Sequence, residues 1–168
     1  KANLDLPGFD INTTRCGPHK WYPLEFALGG EDDPIDEKAV KMVLAVPGVE
    51  PNAANGSGQS YLWSQCAWGR SRNVELLLAD QRVDPNVADV NGYTPLYTAA
   101  NQGKDRCVEL LLADARVDPN LTAVNGRNPL YTAAAEGRHR CVELLLADAR
   151  VNPNLADVNG YTPLYTAA

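Results

Sequence analysis

The chain has 168 residues, of which 45% are apolar and 21% are charged, and its net charge at pH 7 is −6. This composition is typical of a folded protein, and the negative charge provides no general electrostatic attraction to nucleic acid. No apolar run approaches the roughly 18 residues that a membrane span needs, so we expect no nucleic-acid partner and no direct membrane span.

A block of sequence recurs along the chain with a constant 34-residue period. Residues 93–100 read Y-T-P-L-Y-T-A-A, residues 127–134 read R-N-P-L-Y-T-A-A, and the first form returns at 161–168. Such a period is typical of a repeat architecture, so we expect one array over residues 1–168, cut at both ends from a longer one. Its predicted parts are the end of an earlier repeat at 1–12, a repeat with a longer inter-helix loop at 13–52, full repeats at 53–86, 87–120 and 121–154, and a partial repeat at 155–168.

The stretch at 87–120 shows the internal layout of a unit most clearly. Asn91 and Gly92 predict a tight two-residue hairpin. Thr94 is a good helix N-cap, and Pro95 suits the first helical position, where no amide donor is needed. A helix is therefore expected to begin here in the units that keep such a cap, whereas Tyr22 in the first repeat does not fit the slot. The same cap slot holds Ser60, Asn128 and Thr162.

Each unit is predicted to contain two short helices. The first ends near Gln102, because the permissive backbone of Gly103 can terminate it. The second spans about 105–113. Helices this short are marginal alone in water, so stacked neighbours must complete each core. The predicted apolar face of the second helix is formed by Cys107, Val108, Leu111 and Leu112.

The run D-V-N-G-Y-T-P-L-Y-T-A-A-N-Q-G, followed by C-V-E-L-L-L and V-D-P-N, resembles the ankyrin repeat. The resemblance implies an all-α solenoid of stacked helix-turn-helix units with β-hairpin fingers, and a concave face that binds proteins. This chain departs from the usual T-P-L-H motif, because aromatic residues or Glu take the His slot. We expect the aromatic ones to pack between inner helices. The slot holds Glu25, Trp63, Tyr97, Tyr131 and Tyr165.

The sequence offers few candidates for a histidine-based catalytic or metal site. The two histidines are His19 and His139, and His139 is expected on the surface at the start of a second helix. Cys16 and His19 supply only two of the four ligands of a structural zinc site. The sequence therefore predicts no catalytic residues, no metal and no cofactor. The four cysteines (Cys16, Cys66, Cys107 and Cys141) are expected as free apolar fillers, which favours an intracellular, reducing compartment such as the cytoplasm.

The second helices carry charged pairs spaced three residues apart, at Arg72 and Glu75, Arg106 and Glu109, and Arg140 and Glu143. We interpret these pairs as a solvated convex face rather than a binding site.

Comparison of 83–116 with 117–150 points to the candidate binding surface. The two stretches are identical at 25 of 34 positions, and the apolar core positions do not change. Five of the differences fall on fingers or at the end of the first helix, which the resemblance places on the concave side. Drift at exposed positions and a surface diversified for a partner both explain this pattern. The second interpretation gains support from Trp, Tyr and Arg in one row, since these types dominate binding hot spots. The predicted partner-binding residues are Trp21, Gln59, Trp68, Tyr93, Asn101, Gln102, Arg127, Glu136 and Tyr161.

Three functions are compatible with this pattern. The first is a non-catalytic scaffold that binds a protein partner through its concave face and fingers. The second is a structural or assembly subunit of a larger complex. The third is the targeting module of an enzyme whose catalytic domain lies outside this sequence.

Overall fold

The computed structural model describes Leu24 and residues 37–166. Its helices in the range 37–166 form two layers, which we call first and second helices by their order within each pair. The first helices are α2 (Tyr61–Trp68), α4 (Pro95–Asn101), α6 (Pro129–Ala135) and α8 (Pro163–Thr166). The second helices are α1 (Glu37–Leu44), α3 (Ser71–Leu78), α5 (Asp105–Ala113) and α7 (His139–Ala147).

The first helices begin where the cap residues place them. The Thr94 hydroxyl accepts the Tyr97 amide at 3.1 Å, and the Asn128 side chain accepts the Tyr131 amide at 2.7 Å. Ser60 caps α2 in the same way, at 3.2 Å. The prediction of this slot is confirmed at these three positions.

Packing between neighbours builds the core. Each first helix packs against the next one, α2 on α4, α4 on α6 and α6 on α8, and the second helices do the same in their own row. On α5 the predicted face is confirmed at Cys107, Val108 and Leu111, which are at most 1% exposed, whereas Leu112 is only partly buried. The apolar faces of the short helices are thus buried by adjacent units, as a solenoid requires.

The fingers that connect the units are tight turns with a three-residue loop, not the two-residue loop predicted from Asn91 and Gly92. The Asp89 amide donates to the Tyr93 carbonyl at 3.1 Å, and the Gly92 amide donates back to the Asp89 carbonyl at 2.9 Å. The extra residue arises because Gly92 has a positive φ of 80°, which suits the last position of a three-residue loop. In the described part of the chain the fingers form no extended strand beyond one bridge between Ala54 and Ser60.

Successive fingers stack directly on one another. The Val124 amide donates to the Asn91 carbonyl at 3.0 Å, and the Val158 amide donates to the Asn125 carbonyl at 3.2 Å. A Cβ atom placed on Gly126 would lie 2.7 Å from the Val158 nitrogen, so the close approach of the next finger requires glycine there.

Polar side chains in the segments between the second helices and the following fingers join neighbouring units. Asn86 donates from Nδ2 to the Arg116 carbonyl at 2.8 Å and accepts the Asp118 amide at 2.9 Å through Oδ1. Arg116 pairs with Asp114 at 2.5 Å and donates to the Leu78 carbonyl at 2.8 Å. The same contacts recur in the next unit through Asn120 and Arg150.

The described cysteines agree with the predicted free thiols. Cys66, Cys107 and Cys141 are buried and form no disulfide. Cys141 donates to a carboxylate oxygen of Asp105 at 3.1 Å, and burial, together with this contact, raises the pKa of its thiol to about 12. The predictions for Cys16, His19, Trp21 and Glu25, and for the longer loop in 13–52, fall outside the described residues.

The second helices carry the predicted Arg–Glu pairs, at 2.6 Å for Arg72 and Glu75 and 2.9 Å for each of the other two. Arg72 also reaches Glu37 on the preceding second helix at 2.6 Å. The pairs are exposed, which agrees with the interpretation of a solvated face.

Candidate functional site

A column of aromatic rings lies beneath the predicted row of binding residues. The Tyr93 ring stacks on that of Tyr97 with centroids 4.5 Å apart and planes inclined by 8°. The Arg127 guanidinium lies 4.9 Å from the centre of the Tyr131 ring. Tyr161 stacks on Tyr165 with the same centroid distance as the first pair. The row residue precedes the first helix by two positions and its aromatic partner lies four residues later, so the recurrence follows from the repeat period.

The expected packing of the aromatic slot between first helices is confirmed for Tyr97 and Tyr131, which are 6% and 2% exposed. Burial raises the pKa of both phenols. Tyr131 donates its hydroxyl to Oδ2 of Asp157 at 3.2 Å. Tyr165 does not fit the expectation, because it is 65% exposed.

A groove of about 330 Å³ lies between α2, α4 and the finger at 89–93 that precedes α4. It brings together four of the predicted residues, Gln59, Tyr93, Asn101 and Gln102. Ala67 and five polar or aromatic residues that the prediction omitted complete its lining, the five being Trp63, Asp89, Asn91, Tyr97 and Thr98. Its size is at the low end of the roughly 300–1,000 Å³ typical of small-molecule sites, so it suits a side chain or a short peptide segment.

A comparison of the sequence with protein-family models identifies the family of this chain. A family model described as ankyrin repeats in three copies matches residues 34–123 and again residues 107–168. This chain is an ankyrin repeat protein. Ankyrin repeats are generally protein–protein interaction modules. A search of curated proteins found no match for the chain.

The remaining predicted residues of this ankyrin array lie outside the groove. Trp68 is 46% exposed at the end of α2, with the Arg70 guanidinium 4.9 Å from its ring centre. Glu136 is exposed after α6, and Tyr161 is 43% exposed before α8. These positions form a broken row along the first helices rather than one continuous pocket.

Asp89, one of the positions that differ between the compared stretches, has a structural task. It is 8% exposed, and its Oδ1 accepts the amides of Asn91 and Tyr93 at 2.9 Å each, which fixes the finger. In the next ankyrin unit Ala123 stands at this position, and Asn125 Oδ1 accepts the Arg127 amide at 3.1 Å instead. The difference between Asp89 and Ala123 is therefore not a change at a freely exposed position.

Exposed valines at the finger tips were not predicted from the sequence. Val90, Val124 and Val158 are 68%, 78% and 70% exposed. Their signal was present in the sequence, because an apolar residue recurs before each Asn-Gly pair, where a turn would favour polar residues. They form apolar tips on the finger at 89–93, which lines the groove, and on the two fingers that follow it.

Other kinds of site receive no support in the described ranges. Within Leu24 and 37–166 there is no group of three or more His, Cys, Asp or Glu side chains placed to hold a metal ion. No helix in these ranges is both long enough and apolar enough to span a membrane. His139 is exposed at the start of α7, as predicted.

Proposed function

We propose that this ankyrin protein is a non-catalytic scaffold that binds a protein partner through the concave face formed by its first helices and fingers, and that residues 1–168 form a single array. The observation that carries this proposal is the groove between α2 and α4, where four of the predicted partner-binding residues meet. The net charge of −6 disfavours nucleic acid as the ligand.

The proposed surface carries aromatic and arginine side chains that differ between units, as in a protein-binding site, on a core that does not change. Tyr93 and Arg127 occupy the same position in consecutive units, and each lies on a tyrosine ring beneath it. These contacts hold the Tyr93 ring and the Arg127 guanidinium in place before a partner binds, which lowers the entropy cost of binding. Buried core positions beneath them keep their identity from unit to unit.

Replacement of this row tests the proposal. Peptides are selected on the wild-type protein from a randomised display library, and their affinities are measured by calorimetry. We expect Tyr93→Ala combined with Arg127→Ala to weaken the best binders about thirtyfold or more, since truncated hot spots cost roughly 2 kcal/mol or more. Arg106→Ala on the exposed face of α5 is the matched control and should leave affinity unchanged.

The melting temperature of each variant is measured alongside. Because Tyr93 stacks on Tyr97 and Arg127 lies over Tyr131, a small loss of stability is expected from the double variant, about 1–2 kcal/mol. Unchanged peptide affinity in a folded double variant, or equal losses in the Arg106→Ala control, would contradict binding by this face.

A further inference from the structure

The groove between α2 and α4 exists because one side chain that fills the equivalent place in the next unit is missing. Asn101 on α4 donates from Nδ2 to the Thr132 hydroxyl at 2.7 Å and so closes the space between α4 and α6. One repeat period before Asn101 stands Ala67, which cannot reach Thr98. Thr98 is 5% exposed, and its hydroxyl has no hydrogen-bond partner among the described residues.

A second buried polar atom in the groove is also without a partner. The indole nitrogen of Trp63 is inaccessible to solvent and makes no hydrogen bond to any described residue. Buried polar groups are normally hydrogen-bonded, and each exception needs an explanation. Trp63 and Thr98 both line the groove, so the two unpaired atoms, an indole N–H donor and a hydroxyl, lie beneath its surface.

The Asp89 carboxylate at the groove has spare acceptor capacity. Its Oδ1 holds the finger, whereas within the described part of the chain Oδ2 receives only the Asn91 side-chain amide, at a long 3.5 Å. The Gln59 side chain nearby is engaged through Oε1 by Asn55 at 2.9 Å. The lining residues include no Lys or Arg that could neutralise this carboxylate.

The Asp157 finger has a similar arrangement of carboxylate and aromatic ring, and there the guanidinium of Arg127 occupies it. Asp157 holds its finger as Asp89 does, through the Asn159 and Tyr161 amides. Its Oδ2 accepts the Tyr131 hydroxyl at 3.2 Å and faces the Arg127 Nε at 3.9 Å, and the same guanidinium lies over the Tyr131 ring. The finger aspartate and the ring beneath it therefore form a seat for a guanidinium, filled there from within the chain.

At Asp89 the two corresponding positions are Gln59, in place of Arg127, and Trp63, in place of Tyr131. The seat keeps its carboxylate and its ring but has lost its own guanidinium. Trp is the best aromatic face for a cation, and the Tyr93–Tyr97 stack forms a second aromatic wall.

We propose that this groove binds an arginine side chain of the protein partner, with its guanidinium over Trp63 and against Oδ2 of Asp89. The guanidinium donates to Oδ2 of Asp89, because it has five donors and no acceptor. This inference rests on the proposed function and adds the chemistry of the ligand.

The first test uses the smallest probe. Acetyl-arginine methylamide is titrated into the isotope-labelled protein, and the indole N–H signal of Trp63 is followed by NMR, with the acetyl-lysine and acetyl-glutamine methylamides as comparison probes. We expect a saturable shift with the arginine probe and a much smaller one with the others. An unmoved Trp63 signal, or equal shifts with all three probes, would overturn the proposal.

Two variants alter the seat without disturbing the finger. Asp89→Asn removes the charge but keeps Oδ1, and Asn55 already holds the preceding finger through its own Oδ1. Gln59→Arg supplies the internal guanidinium that Arg127 provides at the Asp157 seat. Asp118→Asn is the matched charge control, because its Oδ1 holds the Asn120 amide and Asn152 performs that task in the next unit.

The second test applies these variants to peptides selected on the wild-type protein from the display library. We expect the selected peptides to share an arginine, and their affinity to fall at least about tenfold in Asp89→Asn and in Gln59→Arg but not in Asp118→Asn, since hydrogen bonds to charged groups contribute this much. Selected peptides without arginine that still lose affinity in the Tyr93→Ala and Arg127→Ala variant would overturn the arginine proposal and leave the proposed function standing. Arginine peptides that bind Asp89→Asn and Gln59→Arg as tightly as wild type would also overturn it.

Discussion

Removing the Asn86 side chain should weaken the junction between two ankyrin units. Its amide spans the junction, since Nδ2 donates to the Arg116 carbonyl at 2.8 Å and Oδ1 accepts the Asp118 amide at 2.9 Å. Asn86→Ala breaks both bonds while leaving the backbone of the turn intact. Its neighbours Asn52 and Asn120 make the same two bonds at the flanking junctions.

The expected loss follows from the number of bonds. Each intramolecular hydrogen bond contributes about 0.5–1.5 kcal/mol net, so two contribute about 1–3 kcal/mol. Asn86 is only partly buried, and water can reach the released carbonyl and amide. We therefore expect the free energy of unfolding to fall by about 1–2 kcal/mol.

The chain provides a matched control at Asn154, which occupies the same position one unit after Asn120. Its side chain is exposed and makes no hydrogen bond to another described residue. Asn154→Ala should therefore leave stability unchanged. A second variant, Asn86→Asp, keeps the acceptor for Asp118 but turns a carboxylate toward the Arg116 carbonyl, so it should destabilise the array.

Urea unfolding followed by circular dichroism measures these differences. Because a solenoid is held together by its junctions, a weakened one should also broaden the transition or split it in two. Equal unfolding free energies for Asn86→Ala and Asn154→Ala would refute the reasoning that the Asn side chains join the units.

Two further predictions follow from the fingers and from the charged pairs. Gly126→Ala should destabilise the array more than Gly160→Ala. Both glycines have a positive φ, but of the two only Gly126 would place a Cβ against the next finger, 2.7 Å from the Val158 nitrogen. Equal melting temperatures for the two variants would contradict this prediction. A hydrogen bond from Arg116 lowers the pKa of Asp114 in the folded protein. The stability that this bond contributes is therefore present above the pKa of Asp114 in the unfolded chain, about 3.9, and is lost as the pH falls through the lower pKa of the folded state. Unfolding free energies measured from pH 7 to pH 2 should fall below about pH 4 and fall less in Asp114→Asn; an equal fall in the variant would contradict the assignment.

The features that the sequence predicted well are those set by neighbours along the chain. The cap slot is an example, because the Thr94 hydroxyl needs to reach only the amide three residues later. The bounds of α5 at Asp105–Ala113 agree with the prediction for the same reason, since its apolar spacing is local. The finger loop was predicted one residue too short, because the Asn-Gly signal does not specify which residues close the turn.

The features that the sequence left out depend on contacts between units. Nothing in the local sequence of Thr98 shows that its hydroxyl is unpaired, because that follows from Ala67 on the adjacent helix rather than from its own neighbours. The buried role of Asp89 was missed for a similar reason. It differs from Ala123 in the comparison of stretches, yet its carboxylate holds the finger and is 8% exposed.

The sequence by itself determined the repeat period, the helix caps and the ankyrin fold, because a pattern of caps, glycines and apolar positions recurring at one fixed period allows little else. Only the tertiary structure decided which polar groups are satisfied and which remain available. Asn101 closes one junction by reaching Thr132 on the next first helix, whereas Ala67 leaves the preceding junction open. The stacking geometry of the units fixes which side chains meet across a junction. Because Ala67 is small, a groove remains at its junction, and this groove is the candidate binding site.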